Sequence, residues 1–194
     1  MPMQNRWGHF VLAVVAVIPM CCHAQAEMFE PERVGRWYLY GAAGEETNSQ
    51  LVNLDGQFGL AIGAGYRLTR HVALEIDGLF ASQRVDAPST IPGLALGTDG
   101  RATVYTRGIG GLVKFILPLD RVELYVGGGL GIYNTSLFTD VGFQTVAGAD
   151  FFVSRRLSVG LEYRRLKFDA ILGALVPGVE LGGDFLFATV RGHL

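Results

Sequence analysis

Eight segments of this chain alternate with period two, and they are joined by connections that are in turn long and very short. In 57–68, Phe58, Leu60, Ile62, Ala64, Tyr66 and Leu68 share one face, and Gly59, Ala61, Gly63, Gly65 and Arg67 share the other. An extended strand sorts residues this way, whereas a helix would mix the two sets around its circumference. The same alternation predicts strands over 35–43, 57–68, 71–83, 102–117, 121–134, 143–153, 157–168 and 180–192. Short connections centre on Thr69-Arg70, Pro118-Leu119-Asp120 and Ser154-Arg155-Arg156, and long ones run over 44–56, 84–101, 135–142 and 169–179. Antiparallel neighbours joined in sequence order follow from such connections.

The two faces then decide what kind of sheet this is. In the third segment Val72, Leu74, Ile76 and Phe80 oppose Ala73, Glu75, Asp77 and Ala81. In the fifth, Val122, Leu124, Val126, Leu130 and Ile132 oppose Glu123, Tyr125, Gly127, Gly129 and Gly131. In the seventh, Leu157, Val159, Leu161 and Tyr163 oppose Ser158, Gly160, Glu162 and Arg164. Charges thus ride on the face of small residues. Eight strands enclose a space just wide enough for side chains, so the crowded inner face should be the one rich in Gly and Ala. Charges inside and large aliphatic residues outside invert a soluble barrel and match one whose outer surface meets lipid. The segments also supply the roughly 9–11 tilted residues that a crossing needs. The expected fold is an all-β, eight-stranded antiparallel up-and-down transmembrane β-barrel, with its long loops outside and its tight turns in the periplasm. A soluble periplasmic ligand-binding barrel is the alternative, and it requires the faces to be reversed.

The N-terminus agrees with export. Residues 1–9 carry Arg6 and no acid, Phe10 to Cys22 form an apolar stretch, and Ala24-Gln25-Ala26 offers a cleavage site before Glu27. The stretch is short for a membrane-spanning helix, so 1–26 is read as a cleavable signal peptide and 27–194 as one outer-membrane β-barrel domain. Both cysteines, Cys21 and Cys22, fall in the leader, which leaves no disulfide and no thiolate zinc site in the expected mature chain. Cleavage removes one base and no acid, so the mature chain is one unit more acidic than the net −2 of the whole sequence. That balance offers no electrostatic basis for nucleic-acid binding.

Charges inside a narrow barrel should be paired, because an isolated buried ion costs several kcal/mol. Arg67, Lys114 and Arg164 are the candidate bases, with Glu75, Asp77, Glu123, Asp150, Glu162 and Asp184 as the acids. Such a lumen network is expected to be a structural plug that fills the barrel and fixes register. Arg107 and Lys114 fall on opposite faces of the fourth segment, so either Arg107 stands above the lipid band or a bulge occurs near Gly108 to Gly111. Trp37, Tyr38, Tyr40, Tyr66, Phe80, Phe115, Tyr163, Phe185 and Phe187 are candidates for aromatic girdles.

Strand, tight turn and returning strand recur in Ile62-Gly63-Ala64-Gly65-Tyr66-Arg67-Leu68-Thr69-Arg70-His71-Val72-Ala73-Leu74-Glu75, in Leu119 to Gly129 and in Val153 to Tyr163. In these elements the chain resembles the small eight-stranded outer-membrane β-barrel proteins, such as opacity-type surface proteins and the membrane portion of outer membrane protein A. The resemblance covers the whole mature chain and identifies an architecture. It implies residence in the cell envelope of a Gram-negative bacterium, contact with outer-membrane lipid including lipopolysaccharide, and assembly by the barrel-assembly machinery. In the family the last strand commonly ends in an aromatic residue read during assembly. Phe185 and Phe187 match the alternating aromatic part of that signal, and Leu194 departs from it.

Chemistry finds little support in these residues. Only His71 and His193 remain after the expected cleavage, both at periplasmic strand ends and neither beside a nucleophile in the strand map. No phosphate-binding loop, dinucleotide fingerprint or metal-ligand spacing is present. The chain is therefore expected to have no catalytic residues, no metal site and no cofactor. Function should lie in the external loops. The apolar centres of two of them make Ile91, Leu94, Leu96, Leu172 and Leu175 candidates for docking a host or envelope partner. The expected role is structural or adhesin-like. A narrow channel or transporter for ions or small hydrophobic solutes is the alternative from a different class.

Overall fold

A computed structural model describes residues 35–47, 58–86, 101–135, 139–168 and 182–194. Its strands are β1 (Trp37–Glu46), β2 (Phe58–Arg67), β3 (Val72–Asp86), β4 (Arg101–Leu119), β5 (Val122–Thr135), β6 (Thr139–Ser154), β7 (Leu157–Phe168) and β8 (Gly182–His193). Each pairs antiparallel with its neighbours in sequence, and β1 pairs with β8, so the sheet closes into a barrel without a free edge. Closure satisfies the backbone donors and acceptors within the wall, which a sheet surrounded by hydrocarbon requires.

Three turns lie at one end with both ends of the described chain. Residues 68–71 join β2 to β3, Asp120 and Arg121 join β4 to β5, and Arg155 and Arg156 join β6 to β7. Asp120 takes a left-handed conformation at φ 47°, which aspartate tolerates better than most residues. Among the expected connections, 135–142 is too long: Tyr133 pairs with Asp140 and Asn134 with Thr139, leaving 136–138 between the strands. Asp140, Val141 and Gly142 continue the β6 alternation, and the Asn134 amide donates to the Thr139 hydroxyl at 2.7 Å.

Face assignment follows residue size. Ile62, Ile76, Ile109, Val126, Leu130 and Ile132 point outward, and Ile62 is 73% exposed. Glu75, Lys114, Glu162 and Arg164 point inward and are fully enclosed. In water such an apolar outer surface would be a large liability, whereas in a bilayer it is the surface that lipid covers. The reversed faces of a soluble barrel are therefore overturned.

Register in β4 is unbroken on both sides, from Val72–Phe115 to Asp86–Arg101 and from Leu119–Val122 to Thr106–Thr135. No bulge occurs near Gly108 to Gly111, and Arg107 projects outward at the far end of the wall from the tight turns. The one irregularity in these ladders lies between Phe152 and Ser154, opposite β7.

The aromatic residues divide between the faces. Trp37 and Tyr66 meet outside near the turns at 5.0 Å, and Phe58, Phe80 and Tyr105 form a ladder at the opposite end with spacings of 5.8 and 6.2 Å. Phe115 and Tyr163 are also outward. Tyr38, Tyr40, Phe185 and Phe187 are not girdle residues, because their strand parity points them into the lumen and all four are buried.

Candidate functional site

Inside the barrel the packing is layered. Toward the long-loop end, Ala42, Ala61, Leu79, Ala81, Leu166, Phe185 and Phe187 form an apolar layer, with the two phenyl rings stacked at 5.8 Å. Toward the turn end lies a network of charges.

Two arginines organise that network. Arg164 of β7 pairs with Asp77, holds Glu162 through Nη2 at 2.7 Å, and donates to the Gln144 side-chain oxygen Oε1 at 3.2 Å and the Tyr40 hydroxyl at 3.3 Å. Arg191 of β8 meets Glu75 at 3.0 Å, Asp150 at 2.8 Å and Glu162 at 3.0 Å, and donates to the Tyr125 hydroxyl at 2.8 Å. Lys114 bridges Glu75 and Glu162 at 2.8 and 2.9 Å and lies 4.3 Å from the centre of the Tyr125 ring. Tyr38 donates to Glu75 at 2.6 Å, and Tyr125 donates to Glu162 at 3.0 Å. Nearer the turns, Arg67 grips Glu123 with two parallel bonds of 2.8 and 2.6 Å, the fork geometry that favours arginine over lysine.

Glycine makes room for this network. Tyr38 faces Gly65 across the ladder, Tyr40 faces Gly63, Tyr125 faces Gly148 and Tyr133 faces Gly108. A methyl group at Gly65 would stand 2.1 Å from the Tyr38 ring, and one at Gly148 2.5 Å from the Tyr125 ring. Each tyrosine therefore lies over the glycine opposite it, and Tyr38, Tyr40 and Tyr125 reach a carboxylate beyond, a form of aromatic cover for a glycine in a sheet.

Arg67, Glu75, Asp77, Lys114, Glu123, Asp150, Glu162 and Arg164 all face the lumen, but Asp184 does not join them. It has the parity of Leu186 and Val190, opposite to Phe185 and Phe187, and its carboxylate lies 3.5 Å from the outward Arg165. Sequence reasoning missed Arg191, although Phe185, Phe187, Thr189 and Arg191 form one period-two row that could have placed it. An excess of acids over bases among the candidates already implied tyrosine partners for some carboxylates, and Tyr125 shares the face of Glu123; Tyr38, Tyr40 and Gln144 were not placed there. With Arg191 inside and Asp184 outside, five acids face four bases, so the lumen is close to balanced.

The histidines differ from expectation in one respect. His71 Nδ1 lies 3.0 Å from the Ile116 carbonyl oxygen, a backbone contact at a turn. His193 Nε2, however, lies 3.2 Å from Ser158 Oγ, so one histidine does sit beside a hydroxyl. The strands bring them together because Ser158 pairs with Arg191, two residues before His193 on the same face of β8, and the ladder continues to a bond from His193 N to the Arg156 carbonyl oxygen at 2.8 Å. Ser158 is wholly enclosed, and the cavities bordered by His193 measure about 20 and 10 Å³, room for a water and not for a substrate. Among the described residues no group of His, Cys, Asp and Glu is arranged to hold a metal ion. The loop candidates Ile91, Leu94, Leu96, Leu172 and Leu175 lie outside the described residues.

A closed eight-stranded barrel with an apolar exterior and a polar, side-chain-filled lumen defines a transmembrane barrel of the bacterial outer membrane. The model of the outer membrane protein beta-barrel domain matches residues 10–185, and the chain belongs to that family. It is an outer-membrane protein of the Gram-negative cell envelope. No curated protein matches it. Among solved structures, Neisserial surface protein A is 21% identical at a TM-score of 0.56, over 81% of this chain and 96% of that one. The outer membrane protein OprG from Pseudomonas aeruginosa is 11% identical at 0.58, over 84% and 97%. A transmembrane β-barrel designed de novo is 15% identical at 0.50, over 84% and 98%. A designed barrel sharing the likeness marks it as one of architecture alone.

Proposed function

We propose that this protein is a non-conducting outer-membrane barrel with a structural or adhesin-like role, in which the frame is inert and the external loops engage a partner. The observation that carries this reading is the layered filling of the lumen. Phe185, Phe187, Leu79 and Leu166 close the long-loop half with apolar side chains, while the ion network of Arg164, Arg191 and Lys114 occupies the turn half. An ion entering from either end would have to leave water for an apolar layer or displace a paired side chain, and both steps are costly. An enzymatic role is disfavoured by the enclosure of Ser158 beside His193 and the water-sized space around the pair.

Two measurements test this reading. Purified protein in a planar bilayer should give no reproducible unit conductance; discrete openings that respond to substitution of Phe187 would establish the channel instead. Charges placed at Leu94 and Leu175, with the heat-induced mobility shift of the folded barrel retained, should abolish attachment of whole cells to a surface or host cell. Unchanged attachment would remove those loops from the role.

A further inference from the structure

The turn end of the barrel is basic, although the chain as a whole carries a net charge of −2. Outside the strands at that end stand Arg36, Arg70, Arg121, Arg155 and Arg156, and Asp120 is the one acidic side chain there among the described residues. At the long-loop end the described charges mix in sign, with Glu45, Glu46, Asp140 and Asp184 beside Arg107, Arg165 and Lys167. Like charges gathered at one rim repel one another and raise a positive field in the water before it. None of Arg36, Arg70 and Arg156 has an ion pair among the described residues, and all three are exposed.

The strand ladders place these arginines. Arg67 N donates to the Arg36 carbonyl oxygen at 3.0 Å and Gly35 N to the Arg67 carbonyl oxygen at 2.8 Å, which ties the approach to β1 against the end of β2. His193 N donates to the Arg156 carbonyl oxygen at 2.8 Å, which fixes the β6–β7 turn beside the end of β8. Arg36 and Arg155 therefore meet at one small cavity in the mouth of the barrel, lined also by Tyr38, Arg67 and His193. The floor of that mouth is already occupied: Arg67 gives both of its terminal nitrogens to Glu123, and the His193 ring lies 5.7 Å from Tyr38 and 5.0 Å from Phe152. The space beneath is about 10 Å³, so an anion rests at the lip, against the exposed Arg36 and Arg155.

The position of the lip selects among anions. Phospholipid headgroups lie outside the ring of strands, at the level where Trp37 and Tyr66 meet on the outer wall at 5.0 Å. Arg36 and Arg155 open inside that ring, toward the periplasm. A standard protein interface takes about 20–30 residues from each side, more than the described residues outside the strands supply at this end. A slender polymer that presents free carboxylates needs only the guanidinium forks. We propose that the turn end docks the peptide stems of the cell wall, with Arg36 and Arg155 on their carboxylates at the mouth and Arg70, Arg121 and Arg156 steering them toward it. Arginine at all five places suits planar, two-point recognition of a carboxylate. This surface faces away from the external loops and is independent of the role proposed for them.

The test is co-sedimentation of the full folded barrel, held in phosphatidylcholine nanodiscs, with purified cell-wall sacculi stripped of attached protein. Wild type should sediment with the sacculi, and should do so less as salt is raised from about 0.1 to 0.5 M. Combining Arg36→Gln with Arg155→Gln should weaken binding about tenfold, whereas Arg165→Gln at the opposite end should leave it unchanged. Sacculi with amidated carboxylates should bind wild type no better than native sacculi bind the double variant. A soluble stem peptide with free carboxylates should displace the sacculi, and a water-soluble short-chain phosphatidylglycerol at the same concentration should not. Equal binding of amidated sacculi or equal loss in Arg165→Gln would overturn the proposal. Equal displacement by the lipid would assign the arginines to headgroups, and binding seen only with sacculi that keep their protein would assign them to a protein partner; either result also overturns it. Arg36 and Arg155 lie outside the strands and the lumen network, so the double variant should keep the heat-induced mobility shift of a folded barrel.

Discussion

Replacing Arg191 with methionine isolates what the lumen network contributes. The side chain is fully enclosed and touches three carboxylates: Glu75 at 3.0 Å, Glu162 at 3.0 Å and Asp150 at 2.8 Å. These losses are unequal. Glu75 keeps Lys114 at 2.8 Å and Tyr38 at 2.6 Å, and Glu162 keeps Lys114 at 2.9 Å and Arg164 at 2.7 Å. Asp150 keeps only the Thr189 hydroxyl, at 3.3 Å, among the described residues. The substitution therefore leaves one buried carboxylate without a direct ion pair among the described residues, a defect that costs about 3–5 kcal/mol. With a urea dependence of ~2 kcal/mol per molar, the unfolding midpoint should fall by about 2 M. Asp150→Asn in the same background removes the stranded charge and should recover about half of the loss, although Arg191 is still missing. Urea titration in lipid vesicles, read from the fraction of protein that keeps its unheated mobility, measures both. A midpoint within about 0.3 M of wild type for Arg191→Met would refute the reasoning, and so would a double variant no more stable than the single one.

Other predictions probe the glycine slots and the outer face. Gly65→Val should drive the Tyr38 ring off its slot, lose the 2.6 Å bond to Glu75 and cost about 1–3 kcal/mol by the same titration. Gly111→Ala, whose new methyl would have its nearest contact at 3.8 Å, should stay within about 0.5 kcal/mol. Ile76→Arg places a cation at mid-depth on the lipid face and should cost about 2–4 kcal/mol, whereas Leu119→Arg at the turn end should cost about 0–1 kcal/mol. Equal costs for these two would mean that the wall is not oriented in the bilayer as the girdles imply.

Much of the barrel was legible because a strand writes its two faces into alternate positions. Glu75 and Asp77, or Glu162 and Arg164, needed only period two and the small size of their neighbours to be placed inside. Identity of partners was not legible. Arg164 and Asp77 meet across the lumen from β7 and β3, and Lys114 reaches Glu162 from β4, contacts set by barrel closure and shear rather than by any spacing along the chain. In β8 parity outranks charge: Asp184 shares the outward row of Leu186 and Val190, and Arg191 the inward row of Phe185, Phe187 and Thr189. Tyr38 and Tyr40 follow parity as well, although aromatic residues near a strand end suit a membrane interface and a glycine slot equally until the opposing residue is known.

The arrangement also explains why the frame says so little about biology. Charges in a closed barrel can specify register, since a slip of one residue in β7 would turn Glu162 and Arg164 outward into hydrocarbon and bring Leu161 and Tyr163 against carboxylates. That penalty depends on burial and pairing and is indifferent to what the protein recognises outside. A frame held so tightly tolerates change in its loops, because the loops contribute little to closure. It also tolerates changes on the outer wall that preserve apolar cover. Arg107 keeps within that second tolerance by its position: paired in register with Phe80 and Asn134 at the long-loop end of the wall, it stands where a charge costs about 0–1 kcal/mol and not the 2–4 kcal/mol of mid-depth.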